Sequence, residues 1–303
     1  AEARAAGRWP IVGISCDLEG SVKMNAFHKA HPDHFIEAGI AEHNAATLAG
    51  ALSVDKVVPF FSTFGMFALV ESYNQQRLND QNHANPKVVV THCGMDVGED
   101  GPTHQCIDYV SLLSNPFGFE VFVPADANEC DRIVRNVAGR YAPVAVAMGR
   151  SKLPTIGTRD GAPALGGDHT FAPGVWTELR PGDDAVVFAF GPMVYRAVEA
   201  SDALHAEGFG LRVINASSLK PYDADCIERC AREVGVLLTY EDHNVNTGLG
   251  QIVAATLGDR GVAARLKRLG VSRYGTSGKP NDLFAQAGLA PSDLASAAKA
   301  LVG

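Results

Sequence analysis

The chain has 303 residues, 46% hydrophobic and 20% charged, enough apolar material for about two domains with buried cores. Its formal net charge of −8 argues against nucleic acid as a partner, because a phosphate backbone calls for a basic face. No run of about 18 apolar residues occurs, so no transmembrane helix and no membrane partner are expected.

Short apolar runs then alternate with helical patterns. Ile11–Cys16, Lys56–Phe61, Lys87–His92, Phe119–Pro124 and Pro143–Met148 predict buried parallel strands, and Ala41–Leu52, Met66–Asp80 and Ala127–Arg140 predict helices. Gly157–Asp183 breaks the rhythm with glycine and proline, which is linker composition. A second set follows, with strands at Ala185–Phe190, Leu211–Ala216, Gly235–Tyr240 and Arg265–Val271. Its helices fall at Met193–Ala206, Ala224–Glu233, Gly250–Asp259 and Pro291–Leu301. The fold class is therefore α/β: two successive domains, residues 1–165 and 176–303, with mostly parallel sheets covered by helices.

The cysteines form no C-x-x-C pair and no zinc spacing, so they read as free thiols in a reducing compartment. AEARAAGRWP at the start lacks the apolar core of a signal peptide, and a cytoplasmic location is expected. His28, His31 and His34 lie close together, but Pro32 breaks the helix that would align them and no thiolate or carboxylate spacing completes a ligand set. Gly248-Leu249-Gly250 precedes a helix without the third glycine of a dinucleotide fingerprint and reads as a tight turn.

Three segments carry chemistry. GIAEHN (39–44) opens a helix rich in small residues and puts Glu42 in its first turn. A carboxylate there is either simply favoured by the helix macrodipole or catalytic. In STFGMF (62–67), Phe64 and Phe67 share a helical face, as plain core or as a wall for a flat heterocycle. THCGMDVGEDGPTHQ (91–105) follows an apolar strand and crowds His92, Glu99, Asp100 and His104 into a turn-rich loop. Its glycines allow tight turns at a strand's carboxyl end, where open α/β sheets bind ligands.

Together GIAEHN, STFGMF, HCGMDVGEDGPTHQ, FVPADANE and GRSKLP resemble the C-terminal half of transketolase, in the family's order and spacing. YEDHNVNTGLG and KRLGV resemble the C-terminal domain that transketolase shares with 1-deoxyxylulose-5-phosphate synthase and the pyruvate dehydrogenase beta subunit. GEDGPTHQ favours transketolase among the three. The resemblance implies a subunit of a thiamine diphosphate-dependent transferase that moves a two-carbon ketol unit between sugars or sugar phosphates. Another thiamine-dependent carbon–carbon transferase, or a non-catalytic pairing module, are the alternatives.

The resemblance also implies roles. Glu42 would hydrogen-bond the aminopyrimidine ring, favour its imino tautomer and so promote loss of the thiazolium proton. Phe67 would stack on that ring and Phe64 would wall the pocket. Asp100 and His104 would hold sugar hydroxyls, with His104 also catalytic. Ser21, His92 and Arg150 would bind a substrate phosphate, for which an arginine fork is suited. Val70 stands where transketolases often place a tyrosine, and a second phosphate-binding arginine of the family would precede residue 1. The family's Gly-Asp-Gly motif, which holds Mg²⁺ and the diphosphate, does not occur in the sequence. An N-terminal transketolase subunit is therefore expected to supply that end of the cofactor, in a complex with two copies of each chain, and the chain is expected to self-associate.

Overall fold

The computed structural model describes residues 9–303; the first eight, where the signal-peptide reading and the start of the first domain fall, lie outside the described residues. The first half supplies β1 (Ile11–Ser15), α1 (Asn25–Ala30), β2 (Phe35–Glu37), α2 (Glu42–Val54), β3 (Val58–Ser62), α3 (Tyr73–Gln81) and β4 (Lys87–Val90). It continues with α4 (Tyr109–Ser114), β5 (Glu120–Phe122), α5 (Ala127–Ala138) and β6 (Val144–Ala147). The second half supplies β7 (Thr177–Arg180), β8 (Ala185–Ala189), α6 (Pro192–Ala206), β9 (Leu211–Asn215), β10 (Ser218–Lys220) and α7 (Ala224–Glu233). It ends with β11 (Val236–Asn244), α8 (Leu249–Arg260), β12 (Arg265–Val271), α9 (Pro280–Gln286) and α10 (Pro291–Val302).

Two sheets result, ordered β10-β5-β6-β4-β3-β1-β2 and β12-β11-β8-β9-β7. Every neighbouring pair is parallel except β10 on β5 and β7 on β9. The central strands are continuous apolar runs because helices cover both faces: Val144–Ala147 and Ala185–Ala189 are buried throughout. On α2, Ala45, Ala46, Ala49 and Gly50 are buried, and a Cβ on Gly50 would lie 2.0 Å from Asn79 Oδ1. The small side chains are what let α3 approach α2 so closely.

Three features depart from the sequence reading. The helix expected over Met66–Asp80 divides into a π-helical stretch, Met66–Glu71, followed by α3. Polar side chains take up its carbonyls: Ser72 Oγ donates to Phe67 O at 2.8 Å, and Gln76 Nε2 to Ala68 O at 3.0 Å. The glycine- and proline-rich stretch is not all linker, since its Thr177–Arg180 forms β7 and Ile156 and Leu165 are buried within or beside it. And β10, from the second half of the chain, completes the first sheet, so the two sheets are stitched together. Lys220 holds that stitch by donating to the carbonyls of Leu113 and Ser114, each at 3.1 Å, and of Pro116. Among the described residues, no helix is long and apolar enough to cross a membrane.

Candidate active site

The carboxyl ends of parallel β1, β3, β4 and β6 open on one edge of the first sheet, and the loops that leave them carry the residues singled out above. After β3 the chain stays beside β4 for two more residues. Phe64 forms a parallel bridge with Thr91, and Gly65 N donates to Thr91 O at 2.8 Å. This register sets Phe64 next to His92. His92 has φ +61, a left-handed conformation unfavourable for a residue with a Cβ, and such strain concentrates at functional sites. The turn lays its ring on Phe64, with centroids 3.6 Å apart and planes at 23°.

Phe67, in the first turn of the π-helical stretch, continues the stack, 5.7 Å from Phe64 and tilted by 21°. His104 stands edge-on to both phenyl rings, 5.5 Å from Phe67 and 6.1 Å from Phe64. Phe64 is buried and Phe67 half-buried, so the stack is rooted in the core with one end reaching solvent.

Asp100 and His104 ride on a loop closed at its neck. Cys93 and Cys106 form a bridge, and Gly94 N donates to Cys106 O at 2.8 Å. Gly94, Gly98 and Gly101 have φ of +76, +72 and +76, as the glycine spacing leads one to expect. Asp100 Oδ2 lies 3.8 Å from His92 Nε2. His92 is nonetheless pushed down to about 4, because burial outweighs Asp100, and Arg150 and His104 add to the effect. It is a neutral imidazole at physiological pH, a hydrogen-bonding group rather than a cation.

Glu42 is half-buried at the start of α2. It lies near Cys16 at the end of β1, whose thiol is pushed up to about 12 by burial first and by the Glu42 carboxylate second. The next residue ties this turn to the aromatic stack, with His43 Nε2 2.8 Å from Glu71 O on the π-helical stretch. Arg150, after β6, donates Nη1 to Val97 O at 2.8 Å and to Glu99 Oε2 at 2.6 Å. Ser21 is exposed in the turn after β1, and among the described residues it makes no hydrogen bond to the others. Thus Phe64, Phe67, His92, Asp100 and His104 form one contact group, Glu42 and Arg150 flank it, and Ser21 stands apart on the same edge.

The histidine trio has separate structural partners. His28 stacks on Phe35 at 4.1 Å and meets Glu19 at 3.1 Å, and His34 Nδ1 lies 2.9 Å from Ile11 O. Among the described residues, no group of three or more His, Cys, Asp or Glu side chains is placed to hold a metal ion.

Two features escaped the sequence reading. One is the pairing of Glu99 with Arg150; the GEDG run holds two adjacent acids, and sequence alone does not say which one the arginine takes. The other is a set of buried acids where the second half of the chain meets the loop. Asp242, at the carboxyl end of β11, sits where a Cβ on Gly94 would come within 1.9 Å of its Oδ2. Asp96 accepts from Ser151 N at 2.5 Å. The YEDHN motif was visible, but not the surface it meets.

Residues 4–155 match the transketolase pyrimidine binding domain, and residues 174–294 the transketolase C-terminal domain. The B component of the two-chain apulose-4-phosphate transketolase from Phocaeicola vulgatus is 30% identical over 92% of this chain and 87% of that protein. Rattus norvegicus transketolase is 32% identical over 96% of this chain, which spans only 46% of that larger protein. Among solved structures, a split-gene transketolase in an inactive beta4 tetramer superposes with a TM-score of 0.86 at 34% identity, covering 96% of this chain and 92% of that one.

Proposed function

Because this chain belongs to the transketolase family, we propose that it is one subunit of a thiamine diphosphate-dependent transketolase, moving a two-carbon ketol unit between sugars or sugar phosphates. The observation that carries this reading is the stack Phe67–Phe64–His92, with His104 edge-on, next to a helix that begins with a half-buried carboxylate. Aromatic faces and a single acid fit a flat, weakly basic heteroaromatic ring such as the cofactor's pyrimidine. Phe67 and Phe64 would wall that ring and Glu42 would hydrogen-bond it. Bound thiamine diphosphate supplies a nucleophilic carbon for carbon–carbon cleavage and transfer.

The protein's own part is to position and to manage protons. Glu42 offers a carboxyl group that holds a proton shared with a ring nitrogen. His104 and Asp100 face the cavity above the stack with polar atoms suited to sugar hydroxyls. Neutral His92 can donate or accept a hydrogen bond without repelling a cation, and Arg150 supplies positive charge for a substrate phosphate. The sealed aromatic floor keeps water from that side of the site.

A partner chain would hold Mg²⁺ and the diphosphate end. The sequence lacks the family's Gly-Asp-Gly motif. The similar proteins support the same reading: the P. vulgatus relative is one subunit of its transketolase, and the beta4 tetramer is described as inactive. We assign two copies of each chain to the working complex, with self-association of this chain at its centre. The division into residues 1–165 and 176–303 is supported by the two sheets, although β10 crosses it. All six cysteines are free, which supports a reducing, cytoplasmic setting.

The test is transfer itself. The chain co-purified with its partner should move a ketol unit from a ketose or ketose phosphate donor to an aldose acceptor. A complex that binds the cofactor but transfers from no donor in such a panel would overturn the assignment.

A further inference from the structure

Arg150 does not hang free in the site, and what holds it was not anticipated. One guanidinium nitrogen, Nη1, carries both of its hydrogen bonds, to Val97 O at 2.8 Å and Glu99 Oε2 at 2.6 Å. Nε and Nη2 make no hydrogen bond within the described residues, so an edge with two parallel N–H donors is left open. That is the edge an oxyanion takes in a forked contact. The backbone is shaped for this arrangement. Gly98 has φ +72, and a Cβ there would stand 2.9 Å from Arg150 Nη1. Glu99 lies in the short turn Gly98–Asp100 that follows directly.

We propose that Glu99 is a positioning residue for anion recognition: it and the Val97 carbonyl pin one edge of Arg150, so that the other edge is presented ready to take a substrate phosphate. The inference rests on the reading of Arg150 as the phosphate-facing group. It adds a residue that touches no substrate and acts through the arginine.

A carboxylate so near a phosphate site has two opposing effects. Its charge repels the incoming anion, while its hydrogen bond fixes the fork. The charge effect is weak. The Glu99 side chain is 66% exposed, and in water a charge about 4 Å away changes binding by only about fivefold, less in salt. Other charges already share the neighbourhood: Asp100, Asp96 and Lys279 as well as Arg150. The positioning effect is larger, because a long flexible side chain must otherwise be ordered at the moment of binding.

Glutamine and alanine at this position separate the two effects. Glu99→Gln keeps an acceptor for Nη1 and loses the charge; Glu99→Ala loses both. Inorganic phosphate is titrated into the purified chain by calorimetry, with Arg150→Ala as reference and the thermal midpoint as a check on folding. We expect Arg150→Ala to abolish most phosphate binding, and Glu99→Gln to bind as wild type or up to about fivefold tighter. Glu99→Ala should bind on the order of tenfold more weakly than Glu99→Gln. In the reconstituted enzyme, Glu99→Ala should raise KM for phosphorylated donors by a similar factor, with kcat and KM for unphosphorylated donors little changed. If alanine binds phosphate as well as glutamine does, Glu99 acts only as a charge and the inference is overturned. If Arg150→Ala still binds phosphate like wild type, the reading of Arg150 fails, and the inference with it.

Discussion

Glu42 is the residue on which the chemistry turns, and its surroundings allow that role to be tested cleanly. It lies in the first turn of α2, and only half of it is buried. Glu42→Gln therefore leaves no buried charge unpaired and keeps a group of the same shape. It should fold with wild-type thermal stability yet lose ~10²–10⁴-fold in transfer rate, the usual worth of positioned acid–base help. Activity within a few-fold of wild type, with the cofactor bound, would remove Glu42 from the mechanism. Asp242 is the opposite kind of acid, serving structure rather than chemistry. It is wholly buried, its Oδ2 has no hydrogen-bond partner, and its pKa is pushed up to about 7. Burial is the larger cause and nearby Asp96 the second; its own backbone, Arg196 and the Met95 N–H oppose them. The folded chain thus keeps a proton that the unfolded chain releases near pH 4. Stability from this group is complete below that pH and is lost as pH rises through about 7. Asp242→Asn removes the dependence, so its thermal midpoint relative to wild type should climb between pH 5 and pH 8, at up to about 1.4 kcal/mol per pH unit. A difference that stays flat over that range would show Asp242 ionised in the fold.

At the scale of elements, the loop from Cys93 to Cys106 is the part that both halves of the chain shape. Its neck is closed by backbone bonds inside the first half, while its flank leans on the second half, where Gln105 Nε2 donates to Thr276 O at 3.2 Å. Gly94 sits at the pinch point, with φ +76 and the Asp242 carboxyl where a side chain would go. Gly94→Ala should cost more than the 1–2 kcal/mol typical of the left-handed conformation alone, because the contact must also be relieved. Denaturant unfolding measures it, and a loss below about 1 kcal/mol would mean the loop can re-seat. The sequence was informative here wherever one residue's conformation set the pattern: the glycines marked the turns, and the valine-rich runs marked β4 and β6. Very short strands were not legible. Phe35–Glu37 and Ser218–Lys220 are three residues each, too short for a periodic signal, and exist because a neighbouring edge pairs with them. The π-helical stretch around Phe67 was equally hidden, since it depends on Ser72 and Gln76 bonding to carbonyls that an α-helix would have used. In the site, residue types were readable from the motifs, but the contacts that orient Arg150 and bury Asp242 come from distant parts of the chain.

At the scale of the whole molecule, the chain carries an aromatic floor, an acid at a helix start, and hydroxyl- and anion-binding groups, all on one edge of one sheet. The residues fit one end of an elongated cofactor. The other end, a diphosphate with its metal, calls for a set of oxygen ligands that the motifs of this sequence do not provide. The central claim is that the cofactor is shared between two kinds of chain. Titration of thiamine diphosphate with Mg²⁺ by calorimetry, into this chain alone and into the chain saturated with its partner, tests it most directly. The account predicts weak, metal-insensitive binding to the chain alone and tight, Mg²⁺-dependent binding once the partner is present. Tight, metal-dependent binding by the chain alone would contradict it.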